Sequence, residues 1–247
     1  MYCGEGCERI PLTIVDSDPE AGTITLVFQA VGESTMKIAA LPVGDSIEQI
    51  AGPLGKPTHI ENYGTCVVLG GGYGVAPVVP IAKALSDAGN EVIAINGART
   101  KAAVILIDEL EKVCSRVQIC TDDGTLGHHG FVTEVLKQFL DEGMAIDFVL
   151  AVGPTPMMRA VAEMTRPHGI VTMVSLNPIM VDGTGMCGGC RVEIGGETKF
   201  ACVDGPEFDG HLVNFELLMA RQKTYADAET EAHAQYEQTC KLESRIE

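Results

Sequence analysis

Asp182, Cys187, Cys190 and Cys202 follow one another in the pattern Asp-x4-Cys-x2-Cys-x11-Cys. Glycines 183, 185, 188 and 189 surround them, so the backbone can turn both Cys187 and Cys190 towards one point without steric cost. Thiolates spaced in this way bind soft metals. Plant-type 2Fe-2S clusters use Cys-x4-Cys-x2-Cys and a distant fourth cysteine, so three of the four positions match and the fourth carries an anionic oxygen donor. Buried free cysteines and a Cys-x-x-Cys redox pair are the plainer readings, and the third cysteine at cluster spacing argues against both. Zinc stays open, because Cys3Asp, or Cys3 completed by His211, would be a similar tetrahedral donor set.

Such a loop needs a support. Arg191 to Ile194, the Gly195-Gly196 turn and Thr198 to Cys202 predict a tight hairpin that carries Cys202 back to the other ligands, with Gly205-Pro206 ending the unit. Upstream, from Thr65 to Pro178, apolar runs alternate with segments of helical period. Strands are predicted at 65–69, 91–96, 117–121, 147–152 and 170–176, and helices at 75–88, 101–113, 131–142 and 156–165. Five strands alternating with helices imply a doubly wound parallel sheet that binds its ligand across the carboxyl ends of the strands.

Those strand ends carry the second candidate site. Gly70-Gly71-Gly72-Tyr73-Gly74-Val75-Ala76-Pro77 joins a strand to a helix, as a phosphate-cradling loop does, although it departs from the usual dinucleotide fingerprint. Tight packing of strand on helix is the plainer reason for such glycines. Gly97-Ala98-Arg99, Thr121-Asp122-Asp123-Gly124 and Gly153-Pro154-Thr155 would open onto the same crevice, which packing alone does not require.

Residues 1–64 have short β-type runs broken by turn signals, the texture of a small antiparallel sheet or partial barrel. Cys3 and Cys7 are expected to be loop thiols, and Phe215 to Lys241 a docking or solvated helix. Lys and Arg number 17 against 34 Asp and Glu, and the net charge of −17 argues against a nucleic-acid partner. Nine cysteines without regular pairing or a signal peptide point to a reducing, cytoplasmic setting. No apolar run reaches membrane-spanning length.

Arg9-Ile10-Pro11-Leu12-Thr13, the segment Phe28 to Thr35, the Gly70 to Pro77 loop and the Asp182/Cys187/Cys190/Cys202 loop together resemble the small electron-transfer subunit of ferredoxin:NADP oxidoreductases. That subunit is also called the sulfide dehydrogenase small subunit, and it is a cousin of the dihydroorotate dehydrogenase electron-transfer subunit. The resemblance, from Arg9 to about Ala220, implies an α/β plus β chain with an antiparallel flavin barrel (1–64), an NAD(P)-binding domain (65–178), a 2Fe-2S unit (179–210) and a C-terminal helix (211–247). It implies that Arg9, Pro11, Leu12 and Thr13 touch the flavin and that Gly32, Ser34 and Thr35 hold the FAD pyrophosphate. Gly71, Gly72, Gly74 and Val75 would approach NAD(P)H, with Gly97, Arg99, Asp122, Gly153 and Pro154 in the same crevice. Asp182 would replace the first cysteine, as in the oxidoreductase branch; dihydroorotate-type subunits have cysteine there. The partner implied is a larger flavin and 4Fe-4S subunit like the small subunit of glutamate synthase, with ferredoxin reached through the complex. Such subunits carry more barrel strands before the Arg-x-Pro-Leu-Thr motif, and eight residues precede Arg9 here, so the barrel is expected to be truncated.

Overall fold

The computed structural model describes residues 1, 8–232 and 234, so Cys3, Cys7 and the last part of the predicted final helix lie outside the described residues. The first strands, β1 (Ile14–Asp18) and β2 (Thr23–Leu26), pair as an antiparallel hairpin. Helix α1 (Glu33–Ala39) follows, in a region whose sequence has only sheet texture. It starts because Thr35 reaches back: its Oγ1 accepts the Gly32 N–H at 3.0 Å, the arrangement that starts a helix. Among the described residues of this region, named strands and helices are confined to the hairpin and α1, short of the antiparallel sheet expected.

Strand and helix then alternate as β3 (Thr65–Gly71), α2 (Val75–Asp87), β4 (Glu91–Ala98), α3 (Ile107–Val113), β5 (Arg116–Thr121), β6 (His128–His129), α4 (Val132–Asp141), β7 (Phe148–Val152), α5 (Thr155–Thr165) and β8 (Val171–Ser175). A hairpin of β9 (Arg191–Ile194) and β10 (Glu197–Phe200), a short helix α6 (Ala201–Asp204), β11 (Glu207–Asp209) and α7 (Phe215–Gln222) follow. One sheet runs in the order β11-β8-β7-β3-β4-β5-β6, all parallel except β11. The five predicted strands are its centre. Five is nevertheless corrected to seven, because two-residue β6 is too short to leave a period and β11 begins directly after the Gly205-Pro206 break.

Successive side chains of β3 enter different cores, as a strand covered on both faces requires. Cys66 and Val68 pack with α2 and α3, while Val67 and Leu69 pack with α4 and α5. Cys190, Val192, Ala201 and Cys202 belong to that second core, so the cysteine unit is built onto the sheet. The predicted helix 101–113 is split, since Asn96 Nδ2 binds the Ile105 carbonyl at 2.9 Å and Leu106 takes a left-handed φ of 58°. The predicted helix 215–241 breaks likewise, with a turn at 223–225.

Candidate functional site

The predicted hairpin brings Cys202 to Cys190, with the sulfurs 3.2 Å apart and both residues buried. Cys187 is exposed, on the outer side of the loop. Asp182 stands beside it and organises that side: Oδ1 accepts the Thr184 N–H at 3.0 Å, and Oδ2 accepts those of Met186 at 3.1 Å and Cys187 at 2.8 Å. The Thr184 N–H, then the N–H and thiol of Cys187, and the Met186 N–H hold the carboxyl below its ordinary range, so it is an anion at neutral pH. The donors therefore stand in two pairs, Asp182 with Cys187 and Cys190 with Cys202. Among the described residues no three His, Cys, Asp or Glu side chains gather at a single point.

The pairs are close to each other. Burial, then neighbouring Cys190, push the Cys202 thiol to about 11, against which the Gly185 N–H works and to which the Asp182 charge adds. Backbone N–H groups already face sulfur, Gly189 towards Cys187 Sγ at 3.4 Å and Cys202 towards Cys190 Sγ at 3.5 Å. Metal loading would have to release the thiol protons, and it would relieve the close burial of the Cys190 and Cys202 thiols against each other. His211 is elsewhere. Its Nε2 meets Thr165 Oγ1 at 3.1 Å at the end of α5.

At the strand ends, most glycines have a packing reason. A Cβ on Gly70 would stand 2.6 Å from Val75 Cα, one on Gly74 2.3 Å from the Val152 oxygen, and one on Gly97 2.3 Å from Val132 Cγ1. Gly71 and Gly153 face each other across the mouth of the crevice, and Met157 sulfur fills the space beside both. Gly72 differs. Its φ is +57° and a Cβ there would meet nothing within 4 Å, so this backbone is open to a ligand. The Arg99 and Asp122 loops lie side by side, with the N–H of Asp122 on the Ala98 oxygen at 3.0 Å and that of Asp123 on the Arg99 oxygen at 3.2 Å.

The amino-terminal candidates form a third group. Glu8 N–H donates to Ser34 Oγ at 2.9 Å, which ties the Arg9 to Thr13 segment to the first turn of α1, where Gly32 and Thr35 stand. Arg9, Pro11 and Thr13 are exposed beside it.

Two residues at the end of α7 that the sequence did not point to join the groups. Gln222, at the end of α7, donates to the Asn177 oxygen at 3.0 Å and accepts from Thr155 Oγ1 at 2.9 Å, directly after Gly153-Pro154. Its neighbour Arg221 donates to the Gly189 oxygen at 3.1 Å, inside the cysteine loop. A cavity of about 340 Å³ lies there, lined among others by Cys187, Gly188, Arg191, Arg221 and Tyr225. A polar side chain at a helix end has no sequence signature that would reveal its tertiary partner.

Comparison with known proteins covers both sites. The model of the iron-sulfur cluster binding domain of dihydroorotate dehydrogenase B matches residues 177–214, and that of the oxidoreductase NAD-binding domain matches 68–163. A dihydroorotate dehydrogenase B (NAD(+)) electron transfer subunit homolog of Thermotoga maritima is 46% identical over 94% of this chain and 82% of its own length. A probable subunit of the same kind from Methanocaldococcus jannaschii is 40% identical over 75% of this chain and 70% of its own. A chain of the NADH-dependent reduced ferredoxin-NADP oxidoreductase, solved for its flavin-based electron bifurcation, superposes with a TM-score of 0.89 and 43% identity. The match spans 95% of this chain and 84% of that one.

Proposed function

The chain belongs to the family of dihydroorotate dehydrogenase B electron-transfer subunits, and from that premise we propose that it passes electrons between NAD(P)H, FAD and a 2Fe-2S cluster and a partner subunit, as a ferredoxin:NADP oxidoreductase subunit does. Flavin supplies the exchange between a two-electron donor and one-electron carriers, and the cluster supplies a one-electron store. No side chain has to act as a general acid or base. The work of the chain is to hold, orient and shield.

The observation that carries this reading is the arrangement of donors in pairs. A binuclear cluster has two irons, each needing two protein donors, and Asp182 with Cys187 and Cys190 with Cys202 meet that need. A mononuclear zinc site would need one point of convergence. Asp182 at the first position favours the ferredoxin:NADP branch over the dihydroorotate branch.

In this reading the Gly71 to Val75 loop and Gly153-Pro154 receive the nicotinamide nucleotide, and open Gly72 is the closest backbone approach. Gly97 serves the crevice by letting α4 come close, and Arg99 and Asp122 border its far end. Arg9, Pro11, Leu12 and Thr13 lie against the flavin, and Gly32, Ser34 and Thr35 face its pyrophosphate; the Glu8–Ser34 bond that joins the two segments supports this. The chain divides into a partial flavin-binding segment (1–64), a nucleotide domain (65–178), a cluster unit (179–210) and a C-terminal helix (211–247). Its partner is a larger flavin and 4Fe-4S subunit resembling the small subunit of glutamate synthase, which passes electrons on to ferredoxin. No helix among the described residues is long and apolar enough to cross a membrane.

Anaerobic purification followed by iron and sulfide analysis, visible absorption and electron paramagnetic resonance tests the reading. Two irons and two sulfides per chain, with flavin bands, are expected. A colourless protein holding one zinc would overturn it.

A further inference from the structure

We infer that Arg221 and Arg191 are positioning residues that set the reduction potential of the cluster site, Arg221 by fixing the loop and both by placing positive charge beside it. This rests on the proposal that Asp182, Cys187, Cys190 and Cys202 hold a 2Fe-2S cluster. The two arginines reach the loop from different elements, Arg221 from the last turn of α7 and Arg191 from the first residue of β9.

Arg221 Nη2 donates to the Gly189 oxygen at 3.1 Å and so fixes the peptide between Gly189 and Cys190. Arg191 Nη1 lies 3.1 Å from where a Gly188 Cβ would stand, so its guanidinium is packed over the loop between Cys187 and Cys190. Both arginines line one cavity with Cys187. Neither has a carboxylate within ion-pair distance among the described residues, in a chain with twice as many acidic as basic residues. Two cations without an ion-pair partner among the described residues thus stand where the cluster would gain negative charge on reduction.

The chemistry gives them a use. Three thiolates, one carboxylate and two sulfides around two ferric ions leave a net negative group, and one added electron makes it more negative by one charge. Arginine stays protonated throughout, so its attraction favours the reduced state. Potential also responds to hydrogen bonds on sulfur, and Arg221 steadies the loop that aims the Gly189 N–H at Cys187. Without such cations, an anionic oxygen donor in place of a thiolate would leave the oxidised state favoured. Gln222 ties the same turn of α7 to Asn177 and Thr155, so the charge is held in register with the nucleotide crevice.

The test is potentiometry of the full chain, purified anaerobically and reduced with dithionite, followed by electron paramagnetic resonance and iron analysis. Arg191→Gln and Arg221→Gln are each expected to lower the reduced-to-oxidised ratio at a fixed potential severalfold, up to about tenfold, which is about 59 mV for a one-electron couple. Arg191→Lys and Arg221→Lys should keep most of the parent value because the charge remains. Unchanged potentials in both glutamine variants at full iron content would overturn the inference, as would lysine variants that fall as far as the glutamine ones. If Arg221→Gln loses iron, Arg191→Gln decides, since Arg191 makes no hydrogen bond to the loop. A parent chain without iron would instead refute the cluster itself.

Discussion

Cys190 Sγ and Cys202 Sγ stand 3.2 Å apart across the β9–β10 hairpin, both inside the core that the sheet shares with α4 and α5. Each is a packing position and, in the proposed function, a ligand position as well. Cys190→Ser and Cys202→Ser should therefore lose iron and also lower the melting temperature, whereas exposed Cys187→Ser should lose iron with little change in the apoprotein's melting. Calorimetry on metal-free samples beside iron assays on loaded ones would separate the two effects. Parent-level iron in any of the three would remove that cysteine from the ligand set.

Asp182 has two duties that substitutions can divide. Its carboxylate gathers three backbone N–H groups, and it stands where a first ligand would stand. Asp182→Cys should retain a cluster with a changed paramagnetic spectrum, and Asp182→Ala should leave it labile. Both spectra equal to the parent's would mean that the carboxylate only shapes the turn.

The glycine loop predicts opposite outcomes at neighbouring positions. Gly72→Val puts a branched side chain into the space in front of the backbone, and at φ +57° it also strains the turn by about 1–2 kcal/mol. Nicotinamide affinity should fall while the cluster spectrum stays. Gly74→Ala meets the Val152 oxygen and should cost stability instead, by about 1–3 kcal/mol. Equal nucleotide affinity in Gly72→Val and the parent would move the site elsewhere.

How much of this was readable depends on what holds each piece. The five central strands were legible because β3, β4 and β7 are buried on both faces and so appear as Val/Ile/Leu runs between glycines. The hairpin was legible because Gly195-Gly196 takes φ values of 59° and 83°, which few other residues tolerate. Helix α1 was missed because its start depends on Thr35 turning back to Gly32, not on apolar period. The edge β11 and the Arg221–Gly189 contact depend on residues distant in sequence, and no local pattern announces them. Of the glycines taken for nucleotide contacts, Gly74 and Gly97 look alike in sequence to Gly72, and only the neighbours supplied by folding distinguish packing from access.

Three further cysteines should be chemically silent. Burial pushes the thiols of Cys66 and Cys120 to about 12 and that of Cys114 to about 11. At pH 8 roughly one in a thousand or fewer of each would be ionised. Mass spectrometry of the native apoprotein after brief iodoacetamide should find these three unmodified and exposed Cys187 modified. Cys66→Ser, Cys114→Ser and Cys120→Ser should leave iron content unchanged; a loss in any one would tie that residue to the cluster.

Glu207 predicts a pH dependence. Burial raises its carboxyl above the ordinary value, opposed by hydroxyl donors Ser175 at 3.0 Å and Thr58 at 3.2 Å. A raised acid means that folding takes up a proton, so this residue's contribution to stability falls as pH rises from the usual carboxylate value through the raised one, and then levels. In Glu207→Gln that part of the profile should be flat. Urea melts of parent and variant between pH 4 and 7 would decide, and parallel curves would count against this role for Glu207.

The placement of β11 also bears on the order in which the molecule can be assembled. Every strand from β3 to β8 has been synthesised once Ser175 is made, whereas the pairing of Glu207 with Ser175 and the Leu176 N–H bond to the Pro206 oxygen need a further thirty or so residues. During that interval the parallel sheet has its residues in hand while the stretch bearing Asp182, Cys187 and Cys190 is tethered at one end only. The later docking of β11 on β8 ties the far end of that stretch to the same sheet edge from which it leaves.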